Sequence, residues 1–332
     1  MTRCAVIGAG AWGTALANIL AQNGHDATLW ALETDVTASV NGAHENTRFL
    51  AGFTLAPSLR ATSSLAEALD GASLVCIATP SQHTRSVLAS ARASLAPRTT
   101  LCVASKGIER TTLALMSDVV AEEAPNHPVV ALSGPSFAAE VAARQPTAIV
   151  AASNDLVAAE TVQDAFSNSH LRIYTHDDII GVELGGALKN VIAVAAGIVE
   201  GVGLGFNSRA ALITRGLAEM TRLGAALGAQ PATFAGLAGM GDLVLTCTGS
   251  LSRNRAVGMA IGKGATLDEA LAGKETVAEG VATTRSAFAL AGREGVEMPI
   301  VETVHRILFD GHSAHRAVSE LMSRGLRAER DA

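Results

Sequence analysis

A short β-rich run at residues 4–7 leads without a break into Gly8-Ala-Gly-Ala-Trp-Gly13 and a helical pattern over 12–22. No other feature narrows the possible folds of this chain as much. A strand turning sharply into a helix needs its first glycine for the turn itself. The second lets a ligand's pyrophosphate approach the backbone, and the third lets helix and strand touch. The amides of the first helical residues then face an anion. Gly8, Gly10, Ala11, Trp12 and Gly13 are therefore candidate dinucleotide-binding residues.

The first half of the chain repeats this alternation. Further β-rich runs lie at 27–30, 74–78, 101–104, 129–132 and 148–151, with helical patterns at 81–95 and 111–123. Such alternation predicts a doubly wound parallel sheet with right-handed crossovers. Residues 41–57 read as an irregular loop over the bound nucleotide. After a last β-rich run at 171–174 the strand signals stop. Helical patterns follow at 181–200, 208–227, 252–261, 266–271, 283–294, 298–309 and 314–324, punctuated by glycine and proline. The expected architecture is α/β: a Rossmann-like domain over residues 1–178 docked on an all-α domain over 179–332, with the active site between them.

Composition bounds what such a chain can do. Of its 332 residues 48% are hydrophobic and only 17% charged. That excludes disorder and predicts a large helical core or a buried oligomer interface, most simply a two-fold homodimer. A net charge of −6 argues against nucleic-acid binding. The β-rich start leaves no room for a signal peptide, and the apolar stretches, such as 191–199, are shorter than the ~20 residues of a membrane span. Cys4, Cys76, Cys102 and Cys247 form no CxxC pair, and the first three lie in apolar strands. These features predict a cytoplasmic protein with reduced thiols.

Several polar residues stand where their surroundings are not polar. Lys189 and Asn190 interrupt the apolar run Gly185-Gly-Ala-Leu-Lys-Asn-Val-Ile-Ala-Val-Ala-Ala-Gly197. On such a helix no polar face solvates a lysine, and a buried lysine needs a partner and readily changes its proton affinity. That marks Lys189 as a candidate acid–base group. Asp242, in the glycine-rich Gly239-Met-Gly-Asp242, could orient it or accept a substrate hydroxyl. Lys106 follows the run at 101–104, where ligands of open α/β sheets bind. Gly134 and Ser136, in Ser133-Gly-Pro-Ser136, follow the next strand and could present donors to a small polar ligand. Ser252-Arg-Asn-Arg255 reads as a helix start carrying two guanidinium groups suited to phosphate. Glu33 lies about 25 residues past Gly8, where an acid accepts a bond from the adenosine ribose. With no lysine or arginine beside it in sequence, Glu33 favours NAD over NADP. His312-x-x-His315 reads as surface, and no zinc or calcium pattern is present.

Taken together these motifs resemble, almost end to end, the bacterial NAD(P)-dependent glycerol-3-phosphate dehydrogenases. The resemblance rests on Gly8–Ala17, Ser105-Lys-Gly107, Ser133–Ala138, Gly185–Ala193, Leu212-Ile-Thr-Arg-Gly-Leu-Ala-Glu-Met220, Gly239–Cys247 and Ser252-Arg-Asn-Arg255. It implies reversible, NAD(P)H-dependent reduction of dihydroxyacetone phosphate to sn-glycerol 3-phosphate, a precursor of glycerophospholipids. It further implies that Lys189 is the proton donor and acceptor. Lys106, Gly134, Ser136, Asp242, Ser252, Arg253 and Asn254 would surround the substrate. Trp12, Lys106, Ala138, Arg253, Val277 and Glu279 would touch the cofactor. One departure stands out: many bacterial relatives carry histidine or arginine where this chain has Leu32. A Rossmann domain followed by helices also describes 3-hydroxyacid and 6-phosphogluconate dehydrogenases, and a nucleotide sensor without turnover. The lysine–aspartate–arginine series favours the phosphorylated triose.

Overall fold

The computed structural model describes residues 1–273, 278–326, 328 and 329. Spatially the chain divides into two units, Met1–Lys106 with Ala114–Ile179, and Gly107–Leu113 with Ile180–Ala332. The second unit thus takes in a strap from within the first half of the sequence. Ser286 Oγ donates to the Ile108 carbonyl of this strap at 3.1 Å.

The first unit is built on eight strands: β1 (Arg3–Ile7), β2 (Asp26–Trp30), β3 (Arg60–Thr62), β4 (Leu74–Ile77), β5 (Thr100–Val103), β6 (Val129–Ser133), β7 (Thr147–Ala152) and β8 (Leu171–His176). They form one sheet of order β3-β2-β1-β4-β5-β6-β7-β8. Seven helices accompany it: α1 (Ala11–Gln22), α2 (Thr34–Ala43), α3 (Leu65–Leu69), α4 (Thr84–Ala91), α5 (Met116–Glu123), α6 (Ala138–Ala142) and α7 (Leu156–Phe166). Alternate residues of β1 enter different cores. Cys4 and Val6 pack in the cluster that holds Leu16 and Leu20 of α1. Ala5 and Ile7 pack in the one that holds Leu69, Leu88 and Val119 of α3, α4 and α5. A sheet covered on both faces explains why its inner strands are apolar throughout.

The sheet departs from the expected all-parallel form at one place. Neighbours from β3 to β6 are parallel, but β7 runs antiparallel to β6, and β8 follows β7. The connection from β6 to β7 contains only α6, and five residues of helix rise about 7.5 Å. That is too little to carry the chain back along a strand, so it reverses instead. Several elements lay outside the sequence reading, among them β3, α2, α3, α6 and α7. Strand β3 is three residues long, and α2 is poor in strong helix formers, resting on buried Val36 and Val40 one turn apart. The irregular stretch expected from residue 41 therefore begins only after Ala43.

The second unit contains α8 (Ile179–Gly201), α9 (Phe206–Ala226), α10 (Asp242–Thr248), α11 (Arg253–Gly262), α12 (Leu267–Leu271), α13 (Glu279–Glu294), α14 (Pro299–Phe309) and α15 (Ala314–Met322). Its central helix, α8, has 23 residues, and an 18-residue window of it has a mean hydropathy of 1.6, so by length and composition alone it would cross a membrane. The apolar run is thus longer than the sequence reading allowed. Burial within the protein, 94% of the apolar window, accounts for it. Against α8 lies α11, backbone to backbone. A Cβ at Gly197 would overlap the Arg255 carbonyl oxygen, and one at Gly258 would overlap the Val194 carbonyl oxygen. All four cysteines are buried and free, and burial pushes Cys4 and Cys247 up to about 12, which keeps them inert thiols.

Two tests follow from this packing. Gly258→Ala should cost about 1–3 kcal/mol, because the close helices must part. Gly292→Ala, in the exposed interior of α13 with no atom within 4 Å of its new Cβ, should be neutral or stabilise by about 0.5–1 kcal/mol. Denaturant unfolding of both variants measures the contrast.

Glu219 of α9 gives the second test. It is buried and accepts bonds from the Ile300 and Val301 amides, at 2.7 and 3.3 Å, where α14 begins. Loss of hydration pushes its carboxyl up to about 7, although those amides, Arg222 and Arg324 pull the other way. In the unfolded chain it titrates near its ordinary value of 4.5. Between those values the folded chain holds a proton that the unfolded chain has released. Stability should therefore fall as pH rises from about 4.5 to about 7, by about 3 kcal/mol in all. Glu219→Gln should flatten that part of the stability–pH profile; an unchanged slope would refute the assignment.

Candidate active site

In the first unit the glycine-rich turn has the geometry its spacing predicts. Gly8 has φ +112°, and a Cβ there would lie 2.8 Å from the Ala78 carbonyl oxygen. A Cβ on Gly13 would overlap the Gly8 carbonyl oxygen, whereas one on Gly10 would meet nothing within 4 Å. No side chain caps the start of α1, and its first turn, beginning with Ala11, carries no acid. Trp12 Nε1 is buried without a hydrogen-bond partner. An open approach, uncapped amides and an orphaned donor together fit the pyrophosphate of a dinucleotide. Glu33, half-buried, stands at the start of α2 just beyond β2, next to Leu32, which is 74% exposed.

The same unit gathers Lys106, Gly134 and Ser136. Lys106 Nζ donates to the Gly134 carbonyl at 2.9 Å and to Ser136 Oγ at 3.4 Å, and Ser136 Oγ donates to that carbonyl at 2.9 Å. Gly134 has φ +138°, and a Cβ on it would press on Ile149, so only glycine makes this turn. Ala138 begins α6.

In the second unit Lys189 is buried at the middle of α8. Its Nζ donates to Asp242 Oδ1 and to Thr246 Oγ1, both at 2.8 Å, and Thr246 Oγ1 lies 3.2 Å from Asp242 Oδ1. Asp242 is not in a loop, as its glycines suggested. It opens α10 directly after a π-helical turn, Leu237–Gly241, so Thr246 falls one turn on, on the same face. Next to Lys189, Asn190 Oδ1 accepts from Asn254 Nδ2 at 2.8 Å, and Asn254 Oδ1 accepts from the Gly280 amide at 3.0 Å. Ser252 caps α11 by accepting from the Arg255 amide at 3.2 Å.

The two arginines of the Ser-Arg-Asn-Arg motif differ. Arg255 is clamped by Glu200, with Nε at 2.9 Å and Nη2 at 2.6 and 2.8 Å, so it is not the second phosphate ligand that the motif suggested. Arg253 is exposed by surface area, yet loss of hydration around its guanidinium pushes its proton affinity below the usual value, and Glu279, the first residue of α13, pulls the other way. Val277 lies outside the described residues. Elsewhere His312 Nε2 pairs with Glu320 at 3.0 Å, and among the described residues no three metal-ligating side chains converge.

Known proteins match the chain along nearly its whole length. Residues 3–159 and 178–319 match the N-terminal and C-terminal families described as NAD-dependent glycerol-3-phosphate dehydrogenase. A glycerol-3-phosphate dehydrogenase [NAD(P)+] of Geobacter sulfurreducens is 56% identical over 99% of both chains. One from Bacillus anthracis is 49% identical over 100% of this chain and 98% of its own. The crystal structure of glycerol-3-phosphate dehydrogenase from Coxiella burnetii superposes with a TM-score of 0.93 at 40% identity, covering 97% of this chain and 98% of that one. The chain belongs to the NAD-dependent glycerol-3-phosphate dehydrogenase family.

Within this dehydrogenase, Thr246 and Asn190 are the site neighbours that sequence reasoning left without a role. The spacing of Asp242 and Thr246 was the available signal for the first, once the segment was taken as helix. The buried pair also sets a test. Removing Asp242 takes away the buried carboxylate opposite the Lys189 ammonium, so Asp242→Ala should cost about 3–5 kcal/mol. Lys189→Met combined with Asp242→Leu should recover most of that loss in denaturant unfolding. A single variant as stable as the parent would refute a buried ion pair.

Proposed function

We propose that the chain is an NAD(P)-dependent glycerol-3-phosphate dehydrogenase that reduces dihydroxyacetone phosphate to sn-glycerol 3-phosphate, reversibly. The observation that carries this is Lys189, buried in an apolar helix and held at 2.8 Å by both Asp242 and Thr246. An ammonium fixed in this way is a positioned acid.

When bound, NAD(P)H supplies the hydride that reaches the ketone carbon. Gly8, Gly10, Ala11, Trp12 and Gly13 would hold its pyrophosphate, and Glu33 would accept a bond from its adenosine ribose, favouring NADH. Ala138, Arg253, Val277 and Glu279 are assigned to the cofactor as well. Lys189 would give its proton to the carbonyl oxygen as charge develops there, and in the reverse direction would take it from the alcohol. Asp242 balances the ammonium and, with Thr246, fixes where it points. Lys106 adds positive charge, with Gly134 and Ser136 placing it. Ser252, Arg253 and Asn254 would receive the substrate phosphate at the start of α11, where a guanidinium and helix amides both suit an anion. In this reading residues 1–178 hold most of the cofactor and 179–332 supply the acid–base lysine and the phosphate contacts, while Lys106, Gly134 and Ser136 serve the substrate from the first span and Arg253, Val277 and Glu279 serve the cofactor from the second. It also carries a cytoplasmic homodimer supplying the glycerophospholipid backbone.

Initial rates of dihydroxyacetone phosphate reduction with NADH and NADPH test the assignment. Lys189→Ala should lower kcat by about 10²–10⁴-fold. Arg253→Ala should mainly raise KM for the phosphorylated substrate. A folded Lys189→Ala enzyme with near-normal turnover would overturn the role given to Lys189.

A further inference from the structure

The segment between α2 and β3 is tied at both ends to places where a dinucleotide is read. Asn46 is fully buried, and its Nδ2 donates to the Ala9 carbonyl and to Thr14 Oγ1, both at 2.8 Å. Its Oδ1 accepts from the Phe49 amide at 3.0 Å, and the Leu50 amide returns to the Asn46 carbonyl at 2.9 Å, closing a tight turn. On the other side Ser39 Oγ of α2 donates to the Glu45 carbonyl at 2.6 Å and lies 3.3 Å from Thr47 Oγ1. The turn therefore runs from the glycine-rich loop to α2, the helix that starts with Glu33 beyond β2.

Arg48 stands on this turn. Its Nη1 lies 3.4 Å from Asp35 Oδ2 in the first turn of α2, and its guanidinium sits 5.2 Å above the Phe49 ring. A cation thus pairs with Asp35, two residues beyond Glu33, although none is beside Glu33 in sequence. An acid after β2 selects the free ribose hydroxyl of NAD, whereas a 2′-phosphate needs a nearby arginine. Glu33 and Asp35 on their own would repel that phosphate.

We propose that Arg48 is the residue with which this chain accepts the adenosine 2′-phosphate of NADP(H), and that Asp35 competes with the phosphate for it. The Asp35 side chain is 65% exposed, so the pair is a surface ion pair that contributes little and is cheaply exchanged. A phosphate offers the same guanidinium a bidentate, charge-assisted contact. The chain then admits both cofactors with NADH preferred: Glu33 serves the hydroxyl, and Arg48 tolerates the phosphate. This rests on the first unit being a dinucleotide site.

The test compares binding of adenosine 2′,5′-bisphosphate and ADP to the full chain by calorimetry, independently of turnover. Arg48→Ala should lower the ratio of bisphosphate to ADP affinity by roughly ten- to a hundredfold. Arg48→Lys should retain part of it, and Asp35→Asn should raise it. The ratio of kcat/KM for NADPH over NADH should move in the same order. If Arg48→Ala weakens both nucleotides equally, or neither, the proposal is overturned while the dinucleotide site stands. If the parent protein binds neither nucleotide, the site itself fails and the proposal with it.

Discussion

Taking an ammonium group out of water costs several kcal/mol, and only a buried counter-charge with good hydrogen bonds returns it. Lys189, in the middle of a mostly apolar and buried helix, imposes that demand on what packs against α8. The answer comes from α10, whose Asp242 and Thr246 lie one turn apart and both meet Nζ. For α10 to arrive there the preceding chain must pass α8 at backbone distance. A Cβ on Gly185 would press into the Ala238 carbonyl, and one on Gly239 would overlap the Phe234 backbone. Gly185 of α8 thus lets the chain before Asp242 pass close by, and the π-helical turn Leu237–Gly241 leads the aspartate into α10.

The first unit solves a different problem with the same residue type. Its glycine-rich turn must bring α1 against β1 and still leave room for an anion. Gly8 and Gly13 are crowded by backbone, whereas Gly10 is open. The reversal of the sheet after β6 has a local consequence as well. The turn made by Gly134 exposes a carbonyl that Lys106 and Ser136 both engage, so the lysine at the end of β5 is held by the strand beside it.

Periodicity made most of this legible. The alternation of strands and helices, the glycine-rich turn and the isolation of Lys189 are local properties, so the layered sheet, the helical second half and a buried, paired lysine could be read directly. What could not be read depends on partners distant in sequence. Strand β3 and α2 are short or weak by propensity, and exist because the sheet and core accept them. Asp242 looked like a turn residue because three glycines surround its approach, yet Gly239 sits tight against the Phe234 backbone and the segment winds into a π-helical turn rather than a loop. Arg255 looked like a phosphate ligand until its bond to Glu200, 55 positions away, was seen. Arg48 was invisible for the same reason. Sequence distance separates it from Glu33, and only the Asn46 anchor brings it beside α2.

The asparagine pair shows how tightly backbone approach and the site are linked. An asparagine side chain reaches only a short way from its Cα, so an Asn190–Asn254 bond at 2.8 Å requires α8 and α11 to run in near contact. That contact exists where Gly197 faces Arg255 and Gly258 faces Val194; larger residues would hold the helices apart by the width of a side chain. Asn254 also accepts the Gly280 amide, and a Cβ on Gly280 would crowd both the Asn190 carbonyl and Asn254 Oδ1. The bond from α8 to α11 and the bond from α11 to α13 therefore stand or fall with the same small residues. Arg253 and Glu279, the first residues of α11 and α13, lie next to Asn254 and Gly280 along the chain. Their relative placement, and with it the positive charge offered to an anion, is set by glycines that carry no charge.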